Sequence, residues 1–202
     1  MISGPELPRR ALLLALLASP SWVQCSWAQR SWGLAQLMTS LAQTRGASAS
    51  FTERETSPVL SAPLISTGTL TYVAPGYLRK QTSTPVPSVF TLQDGQVTLS
   101  ASGATRRFAL DEDPRIAGLV EAIRGTLAGD LPALQRFYAV TLSGTPAAWQ
   151  LQLLPRDPAL AHFLRAVTIS GAQGQVTLID TLSTDGGESR MSIAPAATEN
   201  AP

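Results

Sequence analysis

Between Ala49 and Leu110 apolar and polar side chains alternate in short runs. The runs ASFTERE, STGTLTYV, YLRKQTS, SVFTLQD, QVTLSAS and TRRFAL each alternate, and Pro75-Gly76, Pro85-Val86-Pro87 and Asp94-Gly95 stand between them. A period of two bounded by turn residues is the pattern of antiparallel hairpins in succession. Leu70 and Tyr72 share one face, as do Phe90 and Leu92, while Thr, Ser, Gln and Arg fill most of the other. Such a sheet packs one side on a core and leaves the other in water. Alternation resumes in FYAVTLSG, AWQLQLLP, RAVTISG, QVTLIDTLS and ESRMSIAP, where Trp149, Leu151 and Leu153 alternate with Gln150 and Gln152. The expectation is about eleven short strands without an internal repeat.

Helical patterns lead and interrupt the strands. Ser31 is placed to cap a helix with Leu34, Leu37, Met38 and Leu41 on one face, closed by Arg45-Gly46. Asp113-Pro114 opens a second, with a carboxylate at the cap and a proline where the missing N–H costs least. Ile116, Leu119, Val120, Ile123 and Leu127 recur along it at three and four residues, and Gly129 stops it. Asp130-Leu131-Pro132 repeats the capping pattern for a short helix ending near Phe137, and residues 158–164 have room for one or two further turns.

The first 28 residues read as an export signal. Arg9-Arg10 precede ALLLALLA, which is too short to span a bilayer, and Ser26-Trp27-Ala28 offers small residues at the positions a signal peptidase reads. Cleavage after Ala28 removes Cys25, because that cysteine follows Gln24 rather than the small residue of a lipoprotein signal. What remains, a domain over 29–195 and a tail over 196–202, has as many basic as acidic residues and no cysteine. A neutral chain offers no basic surface for nucleic acid, and a cysteine-free exported chain depends on its core alone, which suits the periplasm of a Gram-negative bacterium.

A curved antiparallel sheet covered by amphipathic helices has two outcomes. Either the helices fill the concave side permanently, or one of them forms a lid over a cavity for an apolar ligand. Periodicity alone does not separate them. In both cases the apolar positions Leu70, Tyr72, Leu78, Phe90, Leu92, Trp149, Leu151, Leu153, Val167 and Ile169 face inward, and the stripe Ile116, Leu119, Val120, Ile123 and Leu127 covers them.

The order Phe51-Thr52-Glu53, Gly68-Thr69-Leu70, Pro75 with Leu78 soon after, Pro85, Asp94-Gly95, a helical interlude, then Trp149-Gln150-Leu151 and Leu154-Pro155 resembles the LolA-type outer-membrane lipoprotein carriers. The resemblance covers nearly all of the mature chain. It implies an incomplete, half-open barrel closed by helices, mostly antiparallel β with α. It also implies a monomeric periplasmic protein without catalytic activity or cofactor, whose cavity takes acyl chains from an inner-membrane transporter and passes them to an outer-membrane acceptor. In that family an arginine before the corner proline fastens the lid, whereas this chain has Val73-Ala74-Pro75, so its lid is expected to be held mainly by apolar contact. Arg79-Lys80 keep a basic group nearby, and Val97-Thr98-Leu99 replace the family's bulky residue after the Asp-Gly turn. These departures leave room for another lipid as cargo.

Catalysis is not indicated. His162 is the one histidine, no Gly-rich phosphate loop, HExxH or GxSxG occurs, and Asp111-Glu112-Asp113 reads as helix-start electrostatics before it reads as a metal site. The alternative to a carrier is a non-catalytic protein-interaction module of an envelope or lipid-biosynthesis pathway, with a permanently filled core.

Overall fold

The computed structural model describes residues 32–195. The expected cleavage site after Ala28, the Ser31 cap and the tail over 196–202 lie outside them. A short helix, α1 (Leu34–Leu41), leads into β1 (Gly46–Thr56), β2 (Leu64–Val73), β3 (Tyr77–Thr84), β4 (Ser88–Gln93), β5 (Gln96–Ala101) and β6 (Ala104–Ala109). After a 3₁₀ turn at Leu110–Glu112 come α2 (Pro114–Ala128) and α3 (Leu131–Phe137), then β7 (Tyr138–Thr145) and β8 (Ala148–Pro155). The single turn α4 (Pro158–Ala161) precedes β9 (Leu164–Ala172), β10 (Gln175–Ser183) and β11 (Glu188–Pro195).

All eleven strands join one antiparallel sheet in the order β6-β5-β4-β3-β2-β1-β11-β10-β9-β8-β7. Two meanders thus run outward from β1 and β11, which pair at the centre, and the edges β6 and β7 stay apart. The result is a half-open barrel. Register shifts at Thr67/Gly68, Val176/Leu178 and Leu182/Ser183 put irregularities into the ladder, and irregularities of this kind increase local twist.

Period two along each strand becomes rows across the sheet. Leu142, Leu151, Ile169, Ile179 and Met191 stand opposite one another on the concave face from β7 to β11, and Glu53 continues that row on β1. The rows pack on α1, α3 and α4 through Leu37, Met38, Leu41, Leu134 and Leu160. The first helix starts after Gly33, not at Ser31, and ends at Leu41 with Gly46 already in β1. The starts of α2 and α3 follow the sequence, with Asp113 and Asp130 accepting hydrogen bonds from Arg115 N and Ala133 N, and Asp157 caps α4 in the same way by accepting from Leu160 N. At Gly129, which ends α2, φ is +65° and an added Cβ would strike the Met38 carbonyl, so glycine is required there for both reasons.

Candidate functional site

Eight of the ten expected inward residues fall into two buried clusters. Trp149, Leu151, Leu153, Val167 and Ile169 are at most 2% exposed and belong to the filled core under α1, α3 and α4. Tyr72, Leu78 and Leu92 sit in a second cluster with Val97, Phe108 and Val120 beneath α2. Strand pairing sets Tyr72, Leu78, Leu92, Val97 and Phe108 in one row across β2 to β6. Two residues further along every strand lies a parallel row: Leu70, Lys80, Phe90, Leu99 and Arg106. Leu70 and Phe90 are half-buried there and Leu99 is 40% exposed. The β2–β6 half is therefore covered along one row and accessible along the next.

The cover is α2, through four of the five large residues of its stripe. Val120 is buried, Ile116, Ile123 and Leu127 are half-buried, and Leu119 is 37% exposed, outside both apolar clusters. The expected stripe is corrected at Leu119. The deeply buried side belongs to small residues: Ala117, Gly118, Ala122 and Gly125. An added Cβ on Gly118 would lie 2.5 Å from Leu160 Cδ2, and one on Gly125 would lie 2.9 Å from Leu134 Cγ. Helices α3 and α4 thus press directly on the α2 backbone, which turns the bulky stripe toward the open half of the sheet.

Polar contacts also hold α2 and add to the mainly apolar fastening that was expected. The Arg124 guanidinium donates to the Pro75 carbonyl at 3.3 Å, to Glu121 at 2.9 and 2.5 Å, and to Asp130 at 3.5 Å. The strand corner lacks an arginine at Ala74, and the helix supplies one from the other side. Hydrogen bonding to Glu121 raises the Arg124 pKa above its ordinary value. Further along α2, Tyr138 Oη donates to the Gly118 carbonyl at 2.8 Å. Burial, with the Glu121 charge adding to it, pushes the Tyr138 hydroxyl pKa up. Tyr72 Oη is buried without a partner, and its pKa is raised by burial against the opposing charge of Arg124.

Beyond the covered row the concave face carries charge. Lys80 Nζ donates to Glu53 Oε2 at 2.5 Å and lies 5.0 Å from the Phe51 ring centroid, and Ser189 Oγ donates to Glu53 Oε1 at 2.7 Å. Arg106 is exposed, with its guanidinium 5.3 Å from the Phe108 ring. Alternation gives a signal for Lys80 and Arg106, since each lies two residues from an inward apolar neighbour. Nothing local marks Glu53 or the corner contact of Arg124, because Lys80 and Pro75 lie 27 and 49 residues away.

Two clefts lie elsewhere. One of about 420 Å³, lined by Leu110, Ala117, Glu121 and Phe137 among others, lies among the end of β6, α2 and the end of α3. Another, of about 460 Å³, is a groove lined by Ser50, Thr52, Thr67, Thr69 and Ser192 among others. None of the ten expected residues lines either. His162 is exposed with its ring edge on Phe163, and Asp113 serves as the α2 cap, its pKa lowered to about 2 by hydrogen bonding to Arg115. Among the described residues no cluster of three metal-ligating side chains occurs, and no helix is long and apolar enough to cross a membrane.

Residues 27–202 match the family described as outer membrane lipoprotein carrier protein LolA-like. No curated protein matches the sequence. Among solved structures the chain is similar to a LolA superfamily protein from Nitrosomonas europaea, at 9% identity and TM-score 0.46 over 81% of this chain and 92% of that one. It is also similar to the lipoprotein LppX of Mycobacterium tuberculosis, at 12% identity and TM-score 0.42 over 80% and 92%. A third is a putative outer membrane lipoprotein-sorting protein domain from Vibrio parahaemolyticus, at 7% identity and TM-score 0.43 over 79% and 88%.

Proposed function

The chain belongs to the family of LolA-like outer membrane lipoprotein carrier proteins, and from that premise we propose that it is a non-catalytic envelope carrier. It holds the acyl chains of lipoproteins or of another lipid against the concave face of β2–β6, beneath α2, and ferries them toward the outer membrane. The observation that carries this reading is the pair of inward rows from β2 to β6, one covered by half-buried Ile116, Ile123 and Leu127 and the next left accessible at Phe90 and Leu99. Each methylene taken from water contributes roughly 0.8 kcal/mol, so apolar area alone supplies affinity and no reactive group is needed. In this reading residues 1–28 direct export, the mature chain starts at Gln29 in the periplasm, an inner-membrane transporter loads it and an outer-membrane acceptor unloads it.

A second reading, a protein-interaction module without cargo, is favoured by the filled half of the concave face, where Leu151, Leu153 and Val167 are fully buried. Native mass spectrometry and lipid extraction of the protein purified from a bacterial envelope decide between the two. Copurifying acyl compounds are expected. A lipid-free protein that also fails to take up a fluorescent fatty acid would replace the carrier with the module.

A further inference from the structure

We infer that the end of the sheet carrying the β1–β2 and β3–β4 loops is a membrane-contact surface, whose apolar tips enter a zwitterionic lipid bilayer. Val59 and Leu60 in the first loop, Leu64 and Ile65 at the start of β2, and Val86 in the second loop are all exposed, Val59 to 90%. They make up five of the ten large apolar side chains exposed among the described residues. Single exposed apolar residues scattered over a surface need no explanation, but a group gathered at one place marks an interaction site.

Strand register brings the two loops together. Thr67 on β2 and Thr84 on β3 are paired, with their hydroxyls 2.7 Å apart. Leu64, Ile65 and Val86 lie two or three residues beyond that pair, at the same end of the sheet. Pro58, Pro63, Pro85 and Pro87 stand in the loops, where a missing N–H keeps the ladder from continuing. The Leu60 N–H donates to the Ser57 carbonyl at 3.0 Å and closes a turn with Val59 inside it.

The chemistry of this end fits lipid. Residues 57–66 and 82–93 contain no charged side chain, so taking the loops out of water strips no ion of its hydration. None of the five apolar residues lines either cleft described above, so they offer tips rather than a recess. A bilayer closes around separate tips without needing a matching shape. The border of the patch is acidic, with Glu55 opposite Leu64, Glu188 opposite Thr56 and Asp185 in the adjoining turn, against Arg54. Anionic lipid is therefore repelled, and a zwitterionic surface is not. The accessible row through Leu70 and Phe90 lies on this side of the covered one, so a carried chain would leave the sheet where the membrane is met. The contact itself does not depend on the carrier reading.

Flotation with phosphatidylcholine vesicles tests this on the exported chain, which has no cysteine once residues 1–28 are removed. Val59→Cys and Val86→Cys, each labelled with an environment-sensitive dye, should brighten and shift to the blue when vesicles are added. Val73→Cys, exposed about 30 Å away at the other end of β2, should not. Val59→Asp with Val86→Asp should lower partitioning at least about tenfold; that factor is about 1.4 kcal/mol, less than two methylenes taken from water supply. Both positions are exposed, so the melting temperature should not change. Phosphatidylglycerol vesicles should bind more weakly, and salt should leave phosphatidylcholine binding unaltered. A parent protein that does not float with phosphatidylcholine overturns the membrane surface, and the carrier reading still stands if fatty acid uptake persists. Full binding by the double variant, a dye response at Val73 alone, or a preference for phosphatidylglycerol each overturns it too. Self-association that the double variant abolishes, without vesicle binding, would give the patch to a second copy of the chain instead.

Discussion

Arg124 on α2 donates a hydrogen bond to the Pro75 carbonyl at the corner between β2 and β3, 49 residues earlier in the chain. The same guanidinium neutralises Glu121, whose side chain is 10% exposed. One side chain thus ties the helix to the sheet and keeps a buried carboxylate paired.

Removing Arg124 alone should therefore cost more than removing the pair. Arg124→Gln leaves the Glu121 charge buried without its partner and is expected to lose about 3 kcal/mol. Arg124→Gln with Glu121→Gln should lose nearer 1 kcal/mol, the scale of the hydrogen bonds given up. Both should speed release of a bound fluorescent fatty acid, because the corner contact is gone in each. Urea unfolding and stopped-flow release measure the two effects, and equal stability of single and double variants would show that the ion pair carries no weight.

Gly118→Ala reverses the usual sign of a helix substitution. Alanine in place of an interior glycine ordinarily stabilises a helix by up to about 1 kcal/mol. Here the new methyl meets both terminal carbons of Leu160, itself 1% exposed, so repacking should cost about 1–3 kcal/mol instead. If α2 moves away from α4 during loading, the variant should also bind and release lipid faster than the parent. A rise in melting temperature would mean that α2 and α4 are not pressed together in solution.

The start of α2 should be sensitive to acid. The Asp113 carboxyl titrates at about 2 in the folded chain against an ordinary 3.8, chiefly because it accepts hydrogen bonds from Arg115. A depressed folded pKa contributes stability in full above the ordinary value and loses it as pH falls through the folded one. Asp113→Asn keeps a good cap but no charge, so it should melt a few degrees below the parent at neutral pH, with the gap closing between 3.8 and about 2. Melting curves across that range test it; a gap independent of pH would assign the loss to geometry rather than charge.

The strands and the starts of α2 and α3 were legible because their causes are local: alternation, Asp-Gly turns and the caps Asp113 and Asp130 lie within a few residues of what they specify. The filling of the concave face was not. Leu151 and Leu99 look alike in sequence, each apolar on an alternating strand, yet one is fully buried and the other 40% exposed. The difference comes from α1, α3 and α4 packing over β7–β11, which is a long-range arrangement. Leu119 misled for a related reason: a hydrophobic stripe marks large residues, while close helix contact selects small ones such as Gly118 and Gly125. Arg124 was hidden because its corner partner is a backbone carbonyl, and every residue type offers one.

That same contrast between Leu151 and Leu99 separates fold from cargo. Leu151→Gln puts an amide with no partner into the packed half and removes apolar contacts, so it should cost about 3 kcal/mol or more. Leu99→Gln changes a position already open to water and should alter stability by no more than about 0.5 kcal/mol. If lipid lies along the β2–β6 rows, Leu99→Gln should nevertheless weaken uptake of a fluorescent fatty acid several-fold, since it places a polar group in the floor between Phe90 and Arg106. A folded Leu99→Gln protein with undiminished uptake would move the cargo off these rows and leave the concave face a core with one ragged edge.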